Sequence, residues 1–147
     1  MTITQTIERT TLSNLVSNEE YCRKVLPFIK ADYFDVKEER VVFEEITNFV
    51  DKYKRIPTKI SLEIEVESRK DLTQDQHTKI VEIIQTLDST DVDMEWLVDT
   101  TEKFCKDKAI YNAIVDGISI IDGKDKNRKP DAIPTILTDA LAVCFDN

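Results

Sequence analysis

Few of the residue types in this chain could take part in catalysis or bind a metal ion. Its 147 residues include one histidine, His77. Metal sites built from paired histidines are therefore excluded. A Cys–His nucleophile pair using His77 stays open from the sequence. The simpler interpretation is a solvent-facing histidine in the first turn of a helix.

Phosphate-binding loops need glycines at fixed spacing, and the chain has only Gly117 and Gly123. A G-x-G-x-x-G loop is impossible, and Ile118 stands where the first glycine of a P-loop ending in Gly123-Lys124 would be. A di-iron site in a helical bundle needs two Glu-x-x-His motifs, which one histidine cannot supply. We therefore expect no catalytic residue, no metal and no cofactor in this chain.

A cationic cluster lies in the polar segment 122–130. The chain as a whole has a net charge of −9, which repels the phosphate backbone of nucleic acids. The cluster is therefore either a solvated loop or a local contact with DNA or with an acidic partner. Its members are Lys124, Lys126, Arg128 and Lys129.

The three cysteines, Cys22, Cys105 and Cys144, are odd in number and include no close-spaced pair. This pattern favours reduced, mostly buried thiols and a cytoplasmic protein. No apolar run approaches the eighteen or so residues that a membrane span requires, so we expect no membrane segment.

The longest predicted element is a helix over residues 94–121, which must position a long series of apolar side chains. At about 1.5 Å per residue it is about 42 Å long, more than a domain of this size can cover with its own chain. Its apolar face either packs in the core or mediates self-association, and both interpretations stay open. Seven-residue spacing keeps side chains on one face, and the series is Leu97, Phe104, Tyr111 and Ile118, with Ile114 and Ile121 three residues after its last two members.

A second amphipathic helix is predicted after the turn, with Asp131 as its cap and Pro134 in its first turn. A long helix, a turn and a second helix form an antiparallel hairpin. Trp96 is predicted to anchor this hairpin in the core. The hairpin and self-association residues are expected to be Leu97, Phe104, Tyr111, Ile114, Ile118, Ile133, Ile136, Leu137 and Leu141.

Upstream of the hairpin, capping signals predict several short helices. Residues 1–8 are expected to form a frayed start, with Thr10 or Thr11 capping the first helix. Asn18 is expected to cap the second helix and Asp35 to start the third. Thr73 opens a capping box with Gln76.

Two features of this region need interpretation: the secondary structure of residues 60–67 and the acidic side of the third helix. Residues 60–67 alternate between apolar and polar, as in a strand, but the chain offers no second strand, and Ile60 with Ile64 also fits helical spacing. We predict a helix. Several glutamates of the third helix are expected to form a solvated side: Glu38, Glu39, Glu44 and Glu45. The predicted fold is all-α, with a helical globule over residues 9–90 and a hairpin over residues 92–145.

Three stretches of the chain resemble the N-terminal part of T-even-type phage replicative helicases, which belong to the DnaB-type hexameric helicase family. The resemblance is collinear and covers nearly the whole chain. It rests on Tyr21-Cys-Arg-Lys-Val-Leu-Pro27 with Asp32-Tyr-Phe34, on Trp96-Leu-Val-Asp-Thr-Thr-Glu-Lys-Phe104 with Ala109-Ile-Tyr-Asn-Ala113, and on Ala132-Ile-Pro-Thr-Ile136 with Ala140-Leu141 and Phe145-Asp146.

The resemblance implies an N-terminal domain whose hairpins pair between subunits and whose collar supports a hexamer. It implies primase and the helicase loader as partners, and the host cytoplasm as the location. A motor domain with ATP and Mg²⁺, which makes most of the DNA contacts, would follow Asn147. Residues 1–9 are interpreted as an addition before the family's first helix. The alternative function is an independent small helical phage protein that binds nucleic acid through residues 124–129.

Overall fold

The computed structural model describes residues 2–145, and these residues are all-α, as predicted. They contain seven α-helices, three short 3₁₀ turns and no strand. The helices are α1 (Ile3–Leu15), α2 (Glu19–Val25), α3 (Lys37–Tyr53), α4 (Lys59–Glu67), α5 (Gln74–Gln85), α6 (Met94–Ile121) and α7 (Ile133–Leu141), and the 3₁₀ turns are Leu26–Phe28, Ala31–Tyr33 and Pro130–Ala132. None of these helices has the combination of length and hydropathy that crossing a membrane requires.

Local polar chemistry sets several helix starts where the sequence predicts them. The Asn18 side chain accepts a hydrogen bond from the Tyr21 amide at 3.0 Å and caps α2. Thr73 and Gln76 form the predicted capping box of α5. Each cap satisfies backbone N–H groups that the first helical turn leaves without partners.

The start of α1 differs from the prediction. The helix begins at Ile3, where Thr2 and Gln5 form a capping box, so residues 3–8 are helical and the prediction of a cap at Thr10 or Thr11 is wrong. The signature is a threonine followed three residues later by glutamine. Tertiary contact also holds this segment in place, because Glu8 is completely buried.

The helix α3 begins at Lys37, two residues after the predicted start at Asp35. Its acidic side is only partly solvated. Glu39 and Glu45 are buried, so the prediction is wrong for these two residues.

The physical reason is that arginines from other elements cover these two glutamates. Arg9 Nε of α1 lies 3.2 Å from Glu39 Oε2. Arg69, which follows α4, places Nη1 3.0 Å from Glu45 Oε2. A buried carboxylate is tolerated when a guanidinium provides hydrogen bonds and compensating charge.

Residues 60–67 are helical, as predicted. Leu62 and Val66 of α4 are buried, whereas Ile60 and Ile64 are 63% and 55% exposed. The alternating pattern therefore reflects a short helix with one apolar face in the core and a second apolar face in solvent.

The core is one continuous cluster that joins α1 to α5 with α6 and α7. Ile29, Tyr33 and Phe34, in the segment between α2 and α3, pack on this core. Cys22 and Cys105 are buried. The division into residues 9–90 and 92–145 stays a prediction.

The hairpin turn places Pro134 where the sequence predicts it. Gly123 has φ +74°, the left-handed conformation expected of a helix C-terminal glycine, and Pro134 lies in the first turn of α7. Asp131, by contrast, does not cap α7. It lies within the 3₁₀ turn, and α7 starts after Ala132 with no side-chain cap bond.

Candidate interaction surface

The N-terminal half of α6, residues 94–107, is built into the globule. Asp93 caps the helix, and its Oδ2 accepts from the Trp96 amide at 2.9 Å. Leu97, Phe104 and Cys105 are buried against α1, α2 and the segment before α3. The Phe104 ring lies 5.9 Å from that of Phe34, in a tilted aromatic contact.

A buried hydrogen bond ties this half of α6 to α2. The hydroxyl oxygens of Tyr21 and Thr101 are 2.6 Å apart. Because Thr101 donates its proton to the Leu97 carbonyl at 2.8 Å, Tyr21 is the donor to Thr101. Burial raises the pKa of Tyr21 to about 12, so the phenol stays protonated and keeps donating.

Trp96 does not anchor the hairpin in the core, so that prediction is wrong. Its side chain is 53% exposed beside Thr6 and Thr10 of α1. On α6 it directly precedes the buried Leu97, and successive helical positions are about 100° apart. The inward position therefore belongs to Leu97.

The C-terminal half of α6, residues 108–121, packs against α7 through small side chains. Ala109, Ala113 and Gly117 are buried on this side. A Cβ atom built on Gly117 would lie 3.8 Å from Cγ2 of Ile133. The bulky Ile120 is buried as well. Small side chains bring the two helices close together, and five bulky residues of this half of α6 point elsewhere.

Those bulky residues form an exposed apolar surface that we call the outer face of α6. The spacing of its members at three and four residues places them on one side of the helix. The exposed fractions are Tyr111 61%, Ile114 50%, Val115 43%, Ile118 55% and Ile121 71%.

The seven-residue series therefore does not keep one environment along α6. Leu97 and Phe104 face inward, whereas Tyr111 and Ile118 face solvent. Seven residues of a straight helix rotate about 20° less than two full turns, so the series moves steadily around the helix. The change of neighbour from the globule to α7 completes the separation of the two halves.

Polar contacts fix the junction between the two halves. Lys108 pairs with Asp35 in the segment before α3, and its ammonium lies 5.3 Å from the centre of the Tyr111 ring. The Asn112 side chain donates to the Asp32 carbonyl at 3.1 Å. These contacts hold α6 on the globule just before its outer face begins.

The α7 residues predicted for the hairpin and for self-association also divide into buried and exposed ones. Ile133, Ile136 and Leu137 are partly buried, with Ile133 facing Gly117 of α6. Leu141 is 70% exposed and does not lie in the interior of the hairpin. The structure places Ile133 beside Gly117, and Ile136 in the same cleft as Ala109 and Ala113. By contrast, Tyr111, Ile114 and Ile118 of the predicted set are exposed.

The basic turn is less cationic than its sequence suggests. Arg128 Nε lies 2.7 Å from Asp125 Oδ2, and its Nη1 lies 3.8 Å from Asp116 Oδ2. The hydrogen bond from Arg128 holds the pKa of Asp125 below its usual range. The ion pairs found among residues 2–145 leave Lys124, Lys126 and Lys129 as the uncompensated cations of the turn.

Sequence reasoning missed one member of this surface, Val115, and a second exposed apolar pair, Ile60 and Ile64 on α4. Ile121, which the sequence spacing placed on the same side of the helix, extends the outer face. The available signal was an excess of apolar residues: both helices carry more large apolar side chains than one buried side can hold. Over residues 2–145 no cluster of three or more metal-ligating side chains is present.

Residues 2–101 match the family described as the DnaB-like helicase N-terminal domain. The match covers α1 to α5 and the first two turns of α6, up to residue 101. The chain belongs to the DnaB-like helicase N-terminal domain family. Because the match begins at residue 2, the interpretation of residues 1–9 as an addition before the family's first helix is wrong.

A curated relative extends the similarity into the hairpin. The chain is 30% identical over 144 residues to the DnaB-like replicative helicase of Enterobacteria phage T4. The alignment covers 92% of this chain and 30% of that helicase. The chain thus spans about a third of the length of the relative that it matches, and the predicted family resemblance is confirmed.

Proposed function

We propose that this chain is the oligomerisation and protein-interaction domain of a phage replicative DNA helicase. The observation that carries the proposal is the outer face of α6. Monomeric proteins rarely expose a continuous row of large apolar side chains, and such a row usually marks a site of association. The membership of the chain in the DnaB-like family supports the same role.

The occupant of this face is a second copy of the chain, with hairpins pairing between subunits. Helices pack side by side through rows of residues at three- and four-residue spacing, which is the spacing of Tyr111, Ile114 and Ile118. Fully burying one large apolar side chain stabilises a contact by about 1.5–3 kcal/mol. Several such side chains on each partner offset a substantial part of the entropy lost on association.

The whole protein, as proposed, is an ATP-driven hexameric helicase that unwinds DNA at the replication fork. ATP and Mg²⁺ belong to its motor domain, which also makes the main DNA contacts. The primase and the helicase loader are proposed as further partners of the N-terminal domain. No residue of this chain is assigned to either of them.

The alternative role, nucleic-acid binding through residues 124–129, has less support. Asp116 and Asp125 compensate Arg128, and the chain has nine more negative than positive charges. Changing Lys124, Lys126, Arg128 and Lys129 to alanine is expected to leave DNA binding at background. A salt-dependent affinity that these changes remove would favour the alternative.

Sedimentation over a concentration series tests the oligomerisation role. We expect the wild-type domain to self-associate, and the double variant Ile114→Glu with Ile118→Glu to remain monomeric, because a symmetric contact would bring these charges together. The matched control is Ile60→Glu with Ile64→Glu, which places the same changes at similarly exposed sites on α4. Phe104 is unsuitable for this test, because it is buried and its replacement would disturb the fold.

The result that would overturn the role is a wild-type domain that stays monomeric at hundreds of micromolar. An Ile114, Ile118 variant that associates as strongly as the wild type would also overturn it. Circular dichroism of each variant checks that the helices remain formed.

A further inference from the structure

A second exposed apolar surface lies in a groove between α4 and α5. The groove has a volume of about 560 Å³. Its apolar wall consists of Ile60 and Ile64 of α4 with Val81 of α5. These residues are far along the chain from the outer face of α6, and self-association through α6 does not explain them.

The wall exists because α4 is apolar on two sides. Leu62 and Val66 fill the core, which is enough to hold a nine-residue helix in place. Ile60 and Ile64, four residues apart, form a second row that is more than half exposed. Folding alone does not account for two large isoleucines in solvent.

The charges around the groove all have one sign. Its charged lining residues are Glu63, Glu67 and Glu82. Lys59, at the start of α4, is paired with Asp88 and also donates to the Gln85 carbonyl at 3.1 Å. An apolar wall edged by three carboxylates attracts a ligand that is both apolar and positively charged.

We propose that this groove docks a basic amphipathic helix from a partner protein. Apolar side chains of that helix, three or four residues apart, lie against Ile60 and Ile64, and its lysines or arginines lie over Glu63, Glu67 and Glu82. A helix fits a groove between two helices because side-chain ridges enter such grooves. The proposal rests on the interaction role proposed above and names the chemistry of its partner.

Other occupants fit less well. Nucleic acid would place its phosphates beside three glutamates. A second copy of this chain would bring another net charge of −9 to an acidic groove. A basic helix satisfies both the apolar wall and the acidic rim.

The test uses a synthetic, fluorescently labelled peptide about four helical turns long, with leucines on one face and lysines on the other. A scrambled peptide of the same composition keeps the charge and loses the apolar face. Fluorescence anisotropy at about 0.15 M salt, where exposed charges are screened beyond about 8 Å, reports the affinity. We expect the amphipathic peptide to bind at least about tenfold more tightly than the scrambled peptide.

Two matched pairs of variants locate the binding site. Ile60→Gln with Ile64→Gln is expected to weaken binding about tenfold or more, and Ile114→Gln with Ile118→Gln to leave it unchanged. Changing Glu63, Glu67 and Glu82 to glutamine is expected to weaken binding and reduce its salt dependence. The same neutralisation of three exposed acids on α2 and α6, namely Glu20, Glu95 and Asp99, is expected to have little effect.

Equal affinity for the two peptides, or binding that survives the Ile60, Ile64 change, would overturn the docking proposal. Loss of binding in the Ile114, Ile118 variant would move the peptide to α6 and overturn it too. Sedimentation of the same samples keeps the two proposals separate. A domain that self-associates and ignores the peptide refutes the groove alone, and a monomer that binds the peptide refutes oligomerisation alone.

Discussion

The two halves of α6 are the most informative comparison in this molecule. The N-terminal half buries bulky side chains, Leu97 and Phe104, in the globule. The C-terminal half buries Ala109, Ala113 and Gly117, together with one bulky residue, Ile120, and exposes five other bulky residues. The helix is continuous, and its C-terminal half is the more apolar of the two.

The difference shows that the size of most inward residues decides whether the bulky side chains of a helix half are buried in the domain or left exposed. Bulky inward residues pack the N-terminal half into the core of the domain. Small inward residues let α7 approach closely and leave Tyr111, Ile114 and Ile118 available to another molecule. The same separation occurs on α4, where Leu62 and Val66 pack in the core and Ile60 and Ile64 are exposed.

The largest predicted effect contrasts Phe104 with Tyr111, one repeat apart on the same helix. Phe104→Ala is expected to lower the free energy of unfolding by about 3–5 kcal/mol, because it removes buried contacts and leaves a cavity. Tyr111→Ala is expected to change it by no more than about 0.5 kcal/mol in a dilute, monomeric sample. Urea unfolding measures both, and equal losses would contradict the comparison.

A second prediction concerns the globule side, where Glu8 of α1 lies buried beside Glu39. Burial is the main cause that raises the pKa of Glu8, from its ordinary value of 4.5 to about 7. Its Oε2 accepts from the Asp35 amide at 3.2 Å, and Oε1 has no hydrogen-bond partner within the described residues. The folded state therefore prefers the protonated acid.

This preference sets the direction in which stability depends on pH. Stability from Glu8 is complete below about pH 4.5, declines as the pH rises and is lost above about pH 7, a change of about 3 kcal/mol. Glu8→Gln is expected to recover most of it at about pH 8 and to change little at about pH 4.5. Urea unfolding at both pH values, with Glu95→Gln as the exposed control, tests this. A pH profile unchanged by Glu8→Gln would contradict it.

A smaller effect is expected from the bond between α2 and the buried half of α6. Tyr21→Phe removes the donor to Thr101, while Thr101 keeps its own bond to the Leu97 carbonyl. The loss should be about 1 kcal/mol, the usual net contribution of one hydrogen bond. Thermal unfolding of the variant measures it. Asn112→Ala is a comparison at a more exposed contact, where a smaller loss is expected.

The smallest effect is predicted at the interface between α6 and α7. Gly117→Ala is expected to stabilise the domain by up to about 1 kcal/mol through helix propensity, because the new Cβ would make an ordinary 3.8 Å contact with Ile133. Ala113→Gly, the reverse change one turn earlier, is expected to destabilise it. Destabilisation by Gly117→Ala would mean that α6 and α7 pack more closely than this contact allows.

Much of the fold could be predicted because polar interactions between residues close in sequence determine where helices start and end. Asn18 and Thr73 are capping residues whose side chains reach the backbone within their own turn, and Gly123 takes the conformation that ends a helix. The same reasoning applied to Thr2 and Gln5 would have placed the start of α1 correctly. Caps depend on a few neighbouring residues, so the sequence alone is enough to find them.

The faces of the helices were harder to predict because distant neighbours decide them. Nothing near Glu39 or Glu45 in sequence indicates that Arg9 and Arg69 cover them. In the hairpin, a count of large apolar residues ignored Ala109, Ala113 and Gly117, which form most of the buried side. The pattern showed that α6 has more apolar surface than it needs, and the position of α7 decided which part stays exposed.

The central claim is that the outer face of α6 meets its counterpart in another subunit. The most direct measurement is isotope-filtered NMR on a mixture of isotope-labelled and unlabelled domain, at a concentration where it self-associates. We predict intermolecular contacts to the methyl groups of Ile114, Ile118 and Ile121. Contacts to Ile60 and Ile64 instead, or none to the outer face of α6, would contradict the account.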